Sequence, residues 1–461
     1  MTDAGPQPEA AERPRSADPS PPEAAGPDLE VTYGAIVWEQ FKANRIAWAG
    51  LWAIVAMVLL AVFAPVLCLE RPFVITHLDP SSGQRAVEWP WFVALLGDRN
   101  LFENGVDVFF NLLLVLSPAI AASCLLLIRR LRGRRRAERA AGWQRLVVGW
   151  SALVLVGMIA LSVWRPGQPY KDYIGLHAEG VAEVEHEIAR QRLDALSQGA
   201  RLDAASALKL RAQAPWALFP PIAQSFRATH PDEVLAPMSL RHPFGTDDRG
   251  RDVFARVLYG ARTGLTIGVV SVSIYILLGV LLGALAGFFG GRIDMIILRV
   301  IEIMICFPVL ILIMTLAAFI DDRNIFHIML LIGLTRWTGP ARLTRGEFLK
   351  LKDQDFVQAA IASGVPLRQV IFRHVLPNAL SPVLVTASFG VASAILIEST
   401  LSFLGLGDAS APSWGELINI GRQTDTMRLI LLPGLAIFLT VSLFNLVGEG
   451  LQDALDPKRR R

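Results

Sequence analysis

Residues 358–378 read QAAIASGVPLRQVIFRHVLPN, placing Arg368, Arg373 and His374 between long apolar runs. Catalytic alternatives are absent as motifs. The chain has six lysines and none follows a glycine, so no G-x-x-x-x-G-K-[ST] phosphate loop exists. H-E-x-x-H and G-x-S-x-G are absent too, and no motif supports a hydrolytic centre. His177 and His186 are too few for a metal site. Asp247, Asp248 and Asp252 do not meet the twelve-residue calcium-loop spacing, so no metal is expected. Cys68, Cys124 and Cys306 lie far apart in apolar runs and read as small buried hydrophobes, not a disulfide framework.

Three further groups stand out within apolar runs. Glu302 follows Arg299 by three residues, so the two share a helix face and can pair. Glu398 lies near the end of a long run, and Asp294 lies at the edge of another. A charge at the centre of a membrane costs about 2.5–3.5 kcal/mol, so such groups usually face a cavity or a partner. Structural pairing and the lining of a substrate path both remain open for Glu302 and Glu398. Phe307-Pro308 should kink its span, a hinge suited to gating.

The elements that hold these residues are membrane helices. Of 461 residues, 53% are hydrophobic and only 18% charged; mean hydropathy is +0.44. Soluble domains carry about 25% charged residues. A span needs about 20 mostly apolar residues. Eight candidates result, at 47–69, 107–128, 146–164, 265–290, 295–319, 325–340, 379–404 and 428–449. The 325–340 candidate is short and contains Arg336. Gly279, Gly283 and Gly287 in the 265–290 span allow close helix packing.

Basic residues set the orientation. The run RRLRGRRRAERAAGWQR at 129–145 is read as a cytoplasmic topology anchor, not a nucleic-acid site. Counting from it puts both termini inside, with 341–378. It puts 70–106, 165–262, 320–324 and 405–427 outside. Residues 1–29 have the composition of a disordered tail. No signal-peptide pattern leads into the first span, which is expected to be an uncleaved anchor within 30–69. GVAEVEHEIARQRLDALS at 180–197 suits an amphipathic helix in the outer segment 165–241.

Within the inner segment, Thr344–Ser363 has a helical pattern, with Phe348, Leu351, Phe356, Ala359 and Ala360 near one side. Gly364 suits a left-handed helix cap, and Pro366 suits the first turn of a second helix. Leu367, Val370, Ile371 and Val375 would form that helix's apolar stripe, with Arg368 and Arg373 towards water. Pro377 is expected to break the run before the next span. Such a hairpin, joined to two membrane helices, would act as a docking lever; a mere surface connection is the plain alternative.

Gln358-Ala359-Ala360, then Gly364, then Leu376-Pro377 have the spacing of E-A-A, three residues, G, nine residues, I, one residue, L-P. The stretch therefore resembles the EAA loop of ABC importer permeases. Gln358 stands where the pattern has glutamate, removing a charge, and His374 where it has isoleucine; a form like FRHVLPN is common in the peptide branch. HPFGTDDRGRDVFARVLYGARTGLTIG at 242–268 resembles the segment before the core spans of dipeptide, oligopeptide and nickel permeases. In it Gly245 and Asp247 suit a tight turn, and Asp252–Tyr259 a short outer helix. ESTLSFLGLGDASAPSWGELI at 398–418 resembles the end of the fifth core span and its outer loop. The resemblance covers about 242–457, and family members also carry acids at positions like Glu302 and Glu398. APWALFPPIAQSF at 214–226 only weakly resembles the outer loop of the longer-peptide branch.

The resemblance implies an all-α integral membrane protein with a five-helix type I ABC importer permease core. Residues 107–164 then add a hairpin that preserves downstream orientation. It implies a multi-pass permease of the bacterial inner membrane, carrying peptides or similar small solutes and hydrolysing nothing itself. It also implies a second related permease, two ATPase subunits or domains that use ATP and Mg, an outer solute-binding protein, and no cofactor on this chain. The coupling loop would contain Gln358, Ala359, Ala360, Gly364, Leu367, Arg368, Arg373, His374, Leu376 and Pro377. Glu302, Pro308 and Glu398 are the candidates for the translocation path. A proton-coupled transporter using Glu302 and Glu398, or an anchored enzyme using 165–240, would leave the Gln358–Gly364–Pro377 spacing unexplained.

Overall fold

A computed structural model of the chain describes residues 33–78, 85–98, 101–132, 136–164, 171–197, 214–321 and 323–455. The expected tail at 1–29 and the basic DPKRRR end lie outside these residues. Among the described residues, six helices are long and apolar enough to cross a membrane. They lie within Arg45–Val62, Gly105–Arg130, Arg136–Trp164, Val253–Phe289, Leu367–Phe403 and Met427–Leu455.

The other two expected spans take different forms. Gly291–Cys306 and Val309–Ala318 together make a span bent by 82°. The corner is Phe307-Pro308, with Phe307 extended at ψ 129 because proline excludes the helical region for the residue before it. The eighth, Ile325–Arg336, has only 12 residues. Trp337 then joins it to the helix Thr338–Lys352, so the apolar part is shorter than 325–340.

The outer helix expected at Asp252–Tyr259 is not separate. It is the first part of one 37-residue helix, Val253–Phe289. Asp252 starts it by accepting a 2.7 Å hydrogen bond from the Ala255 amide. No proline interrupts it. Gly279, Gly283 and Gly287 line its contact with Thr338–Lys352. A Cβ on Gly283 would fall 2.4 Å from the Ala341 carbonyl oxygen, and one on Gly287 would fall 2.7 Å from that of Arg345. Only hydrogen at these positions permits the approach.

The inserted pair Gly105–Arg130 and Arg136–Trp164 forms a helical hairpin. Its first helix is tied to the long helix by a buried charge. Arg262 donates to Asp107 at 3.3 Å, to Asn111 at 3.0 Å and to the Ala61 carbonyl at 2.7 Å. The second helix leaves Val147, Val148, Leu155, Val156 and Ile159 exposed. That face suits lipid.

One feature departs from an entirely helical chain. A small antiparallel sheet, ordered β2-β1-β3, joins β1 Val74–Leu78 to β2 Arg85–Glu88 and β3 Trp216–Leu218. Ile75 pairs with Glu88 on one side and Ala217 on the other. The sheet brings together segments before and after the inserted hairpin. Arg227 donates to the Ser410 carbonyl at 2.9 Å, and Trp414 to that of Val257 at 2.9 Å, adding the 405–427 loop to the same end. At the opposite end, Phe41 and Ala47 pack with Ala454. The amphipathic helix is also present and longer than expected, at Tyr173–Ser197.

Candidate functional site

The segment between Thr338 and Pro377 folds back on itself around a small core. Phe348, Leu351, Val357, Val370, Val375 and Ala379 are buried together, against Ala284 and Phe288 of the long helix. The first helix does not run unbroken from Thr344 to Ser363. It ends at Lys352, and a second helix covers Asp355–Ala362. Polar Asp353 and Gln354 form the break, and Asp355 places negative charge at the new helix's favourable N-terminal end. The break rotates the apolar face: Val357 is fully buried, whereas Phe356 is 42% exposed.

Gln358 secures this break. Its amide donates a 2.9 Å hydrogen bond to the Lys352 carbonyl. An ionised glutamate has no proton to donate there. The substitution that removes a charge from the family pattern thus supplies a local tie. Ala359 is exposed and Ala360 half-buried against the core.

Gly364 ends the Asp355–Ala362 helix with φ +76. The Val365 amide donates to the Ala360 carbonyl at 3.1 Å, and the Gly364 amide to that of Ile361 at 3.0 Å. This pair of bonds is a Schellman motif, and Val365 packs back on the core. Pro366 caps the next helix from just outside, one position before the expected first turn. Leu367 is 51% exposed, so the buried stripe is Val370, Ile371 and Val375 without it.

Pro377 does not break the chain's helical path. Val370–Val375 widens into a π-helix, and Leu376–Phe403 continues directly. A proline ring clashes with the carbonyl four residues back and lacks the amide that would bond it. The wider turn before Pro377 accommodates both effects. Arg368 and Arg373 are exposed, and His374 and Leu376 are half-buried. Pro366, Arg368, Gln369, Phe372, Arg373 and Pro377 line an open groove of about 670 Å³. Phe356, Ile361, Leu367 and Phe372 add exposed apolar surface to the same hairpin.

The hairpin is also tied to the bent span. Arg345 donates to Asp294 at 2.7 Å through its Nη2. Further along that span, Arg299 and Glu302 pair at 2.6 Å on an exposed face, and Pro308 marks the corner. Glu398 is elsewhere and enclosed. It is 3% exposed and accepts hydrogen bonds from Ser402 and Ser413, each at 2.7 Å, and from Ser399 at 3.3 Å. The two glutamates therefore occupy unlike settings: one on an outer face, the other locked by hydroxyls. His177 and His186 lie along the Tyr173–Ser197 helix, and no cluster of three or more metal-ligating groups occurs among the described residues.

Sequence reading missed the polar network at the other end of the long helix. Asp247 receives Arg251 at 2.7 Å and Arg256 at 3.3 Å, while Arg256 also reaches Glu416 at 2.7 Å. His242 bridges Asp252 at 2.8 Å and Glu233 at 3.0 Å. Burial holds the Asp252 carboxyl above its ordinary value. The acids and arginines of GTDDRGRD carried a signal for part of this network; Glu233 and Glu416 were too remote to read.

Comparison with known proteins adds family relationships to this geometry. Residues 279–461 match the model for binding-protein-dependent transport system inner membrane components. Residues 32–80 match the N-terminal TM domain of oligopeptide transport permease C. The chain is 39% identical over 249 residues to a dipeptide transport system permease of Alkalihalophilus pseudofirmus, covering 53% of this chain and 82% of that protein. It is 43% identical over 222 residues to an oligopeptide transport system permease of Haemophilus influenzae, covering 48% and 71%. A probable D,D-dipeptide transport system permease of Escherichia coli is 44% identical over 228 residues, covering 49% and 76%.

Proposed function

The chain belongs to the binding-protein-dependent transport system inner membrane components, the permease subunits of ABC importers, and we propose that it carries peptides or similar small solutes. It is a multi-pass transport subunit of the inner membrane and not itself a catalyst. The names of its dipeptide and oligopeptide relatives support the peptide class.

In this reading the 344–377 hairpin docks an ATPase. Its supporting observation is the exposed surface of Phe356, Ile361, Leu367 and Phe372 on a hairpin whose other face packs against the long helix. Two ATPase subunits or domains supply ATP and Mg chemistry on the inside, and their closure moves the hairpin. Glycine packing and the Arg345–Asp294 pair carry that motion to the spans. A second, homologous permease completes the path, and an outer binding protein delivers the solute.

Both termini are inside in this scheme, as positive-inside counting requires. Residues 30–69 form an anchor, 107–164 an added hairpin and 242–457 the permease core; 70–106 and 165–241 face outside. In this scheme Glu302 and Pro308, on the exposed face and at the corner of the bent span, line the path toward the second permease. Glu398 bears on the path through its serine-held end, as a positioning group.

Co-purification with candidate ATPases tests the docking role. Gly364→Trp should reduce both association and stimulated ATP hydrolysis, because the left-handed turn disfavours any side chain. Retention of both at the wild-type level would overturn it.

A further inference from the structure

At the outer end, a cavity of about 270 Å³ opens among four chain segments. Arg227, Arg249, Arg251 and Arg256 line it, with Glu103 as the one acidic lining residue. Two of these guanidiniums are strongly buried, Arg256 at 2% exposure and Arg251 at 8%. Yet Arg251 Nη2 and Arg256 Nε donate no hydrogen bond. Arg251 Nη2 lies 3.6 Å from Glu416 and 3.7 Å from Asp248, beyond hydrogen-bond length. A buried donor without an acceptor is costly and calls for a partner. From this convergence we infer that the cavity is a binding site for an organic carboxylate.

Charge and shape select that class. Asp247 and Glu416 stand behind Arg251 and Arg256 and offset much of their charge. Glu103 pairs with Arg227, and exposed Asp248 lies beside Arg251. These four acids formally balance the four arginines, so the cavity offers unfilled donors and not a large positive field, which suits a monoanion better than a dianionic phosphate. Phe226, Ala409, Ala411 and Pro412 provide an apolar wall for the carbon attached to a carboxylate. Arginine supplies paired, charge-assisted donors to its two oxygens.

The carboxylate has two possible sources, a free small acid or the C-terminus of a solute entering the permease. The second source rests on the peptide reading above; binding itself does not. Saturation-transfer NMR on the full chain in lipid nanodiscs tests binding with N-acetyl-alanine and its amide. The acid should bind and the amide should not. Arg249→Gln, at an exposed position, should weaken the acid by about tenfold, the loss of one charge-assisted hydrogen bond. Arg251→Gln should abolish its signal, with helical content checked by circular dichroism. Equal binding of acid and amide, or unchanged binding in Arg249→Gln, would overturn the site.

A second arm reads the source, using uptake of Ala-Ala and Ala-Ala-amide by the complete transporter. Preference for the acid that falls in Arg249→Gln supports the solute terminus. Uptake indifferent to both changes, with the NMR result intact, rejects that source and supports a free small acid. ATPase association in the Gly364 variant is independent of either result.

Discussion

The two ends of the Val253–Phe289 helix are held by opposite kinds of contact. Its outer part is pinned by charge: Arg262 to Asp107, and Arg256 to Asp247 and Glu416. Its inner part has Gly279, Gly283 and Gly287 against the backbone of Thr338–Lys352. Directional ion pairs resist displacement, whereas a smooth glycine surface permits close sliding contact. In the proposed scheme the charge-pinned outer end is the anchor and the glycine-packed inner end the lever.

The largest test of that contrast removes an anchor. Asp107→Ala leaves Arg262 buried with its ion partner gone, and breaking a buried pair costs about 3–5 kcal/mol. Thermal unfolding of the purified chain should show this loss. An unchanged midpoint would reject the anchor role. Next, Gly283→Leu overpacks the lever contact, at about 1–3 kcal/mol. Its ATPase stimulation should fall by more than its stability, because the hairpin itself is displaced. Equal small effects on both would blur the distinction between the ends.

A smaller loss is expected at the turn. Gly364→Ala should cost about 1–2 kcal/mol, the penalty of a side chain in left-handed backbone. Hydrogen exchange across 355–370 should increase without change near Asp107. Gln358→Glu should remove the tie to Lys352 and cost about 0.5–1.5 kcal/mol. Gln358→Asp, too short and also unable to donate, should not rescue it.

The least effect belongs to Glu233 at the outer end. Burial pushes its carboxyl up, but the hydrogen bond with His242 and the charge of Arg241 hold it below its ordinary value of 4.5. Its stabilisation is therefore complete above pH 4.5 and lost as pH falls through the lower folded value. The stability gap between wild type and Glu233→Gln should close on acidification through that window. A gap that widens there would reverse the assignment.

The lever was more legible in sequence than the anchor. Gly364, Pro366 and the Gly279–Gly287 spacing act locally, through backbone freedom and side-chain size. Phe307-Pro308 likewise announced its bend. Position along the hairpin was harder: the break at Asp353-Gln354 turned Phe356 outward, and the π-helix absorbed Pro377. Leu367 is exposed because it is the first residue of its helix, ahead of the turn that faces the core. The anchor pairs Arg262 with a residue 155 positions away, and β1 with β3 across the inserted hairpin. Such distant partners leave no periodic trace in either segment. Around Glu398, Ser399 and Ser402 are near neighbours in sequence, and only Ser413, brought in by the 405–427 loop, lay beyond a local reading.

Hydrogen exchange on the chain with and without its ATPase subunits tests the lever most directly. Docking at the hairpin should protect amides across 356–372, around exposed Phe356, Ile361, Leu367 and Phe372. The outer segment 242–252 should change little. Protection confined to other inner segments, with 356–372 unaltered, would contradict the account.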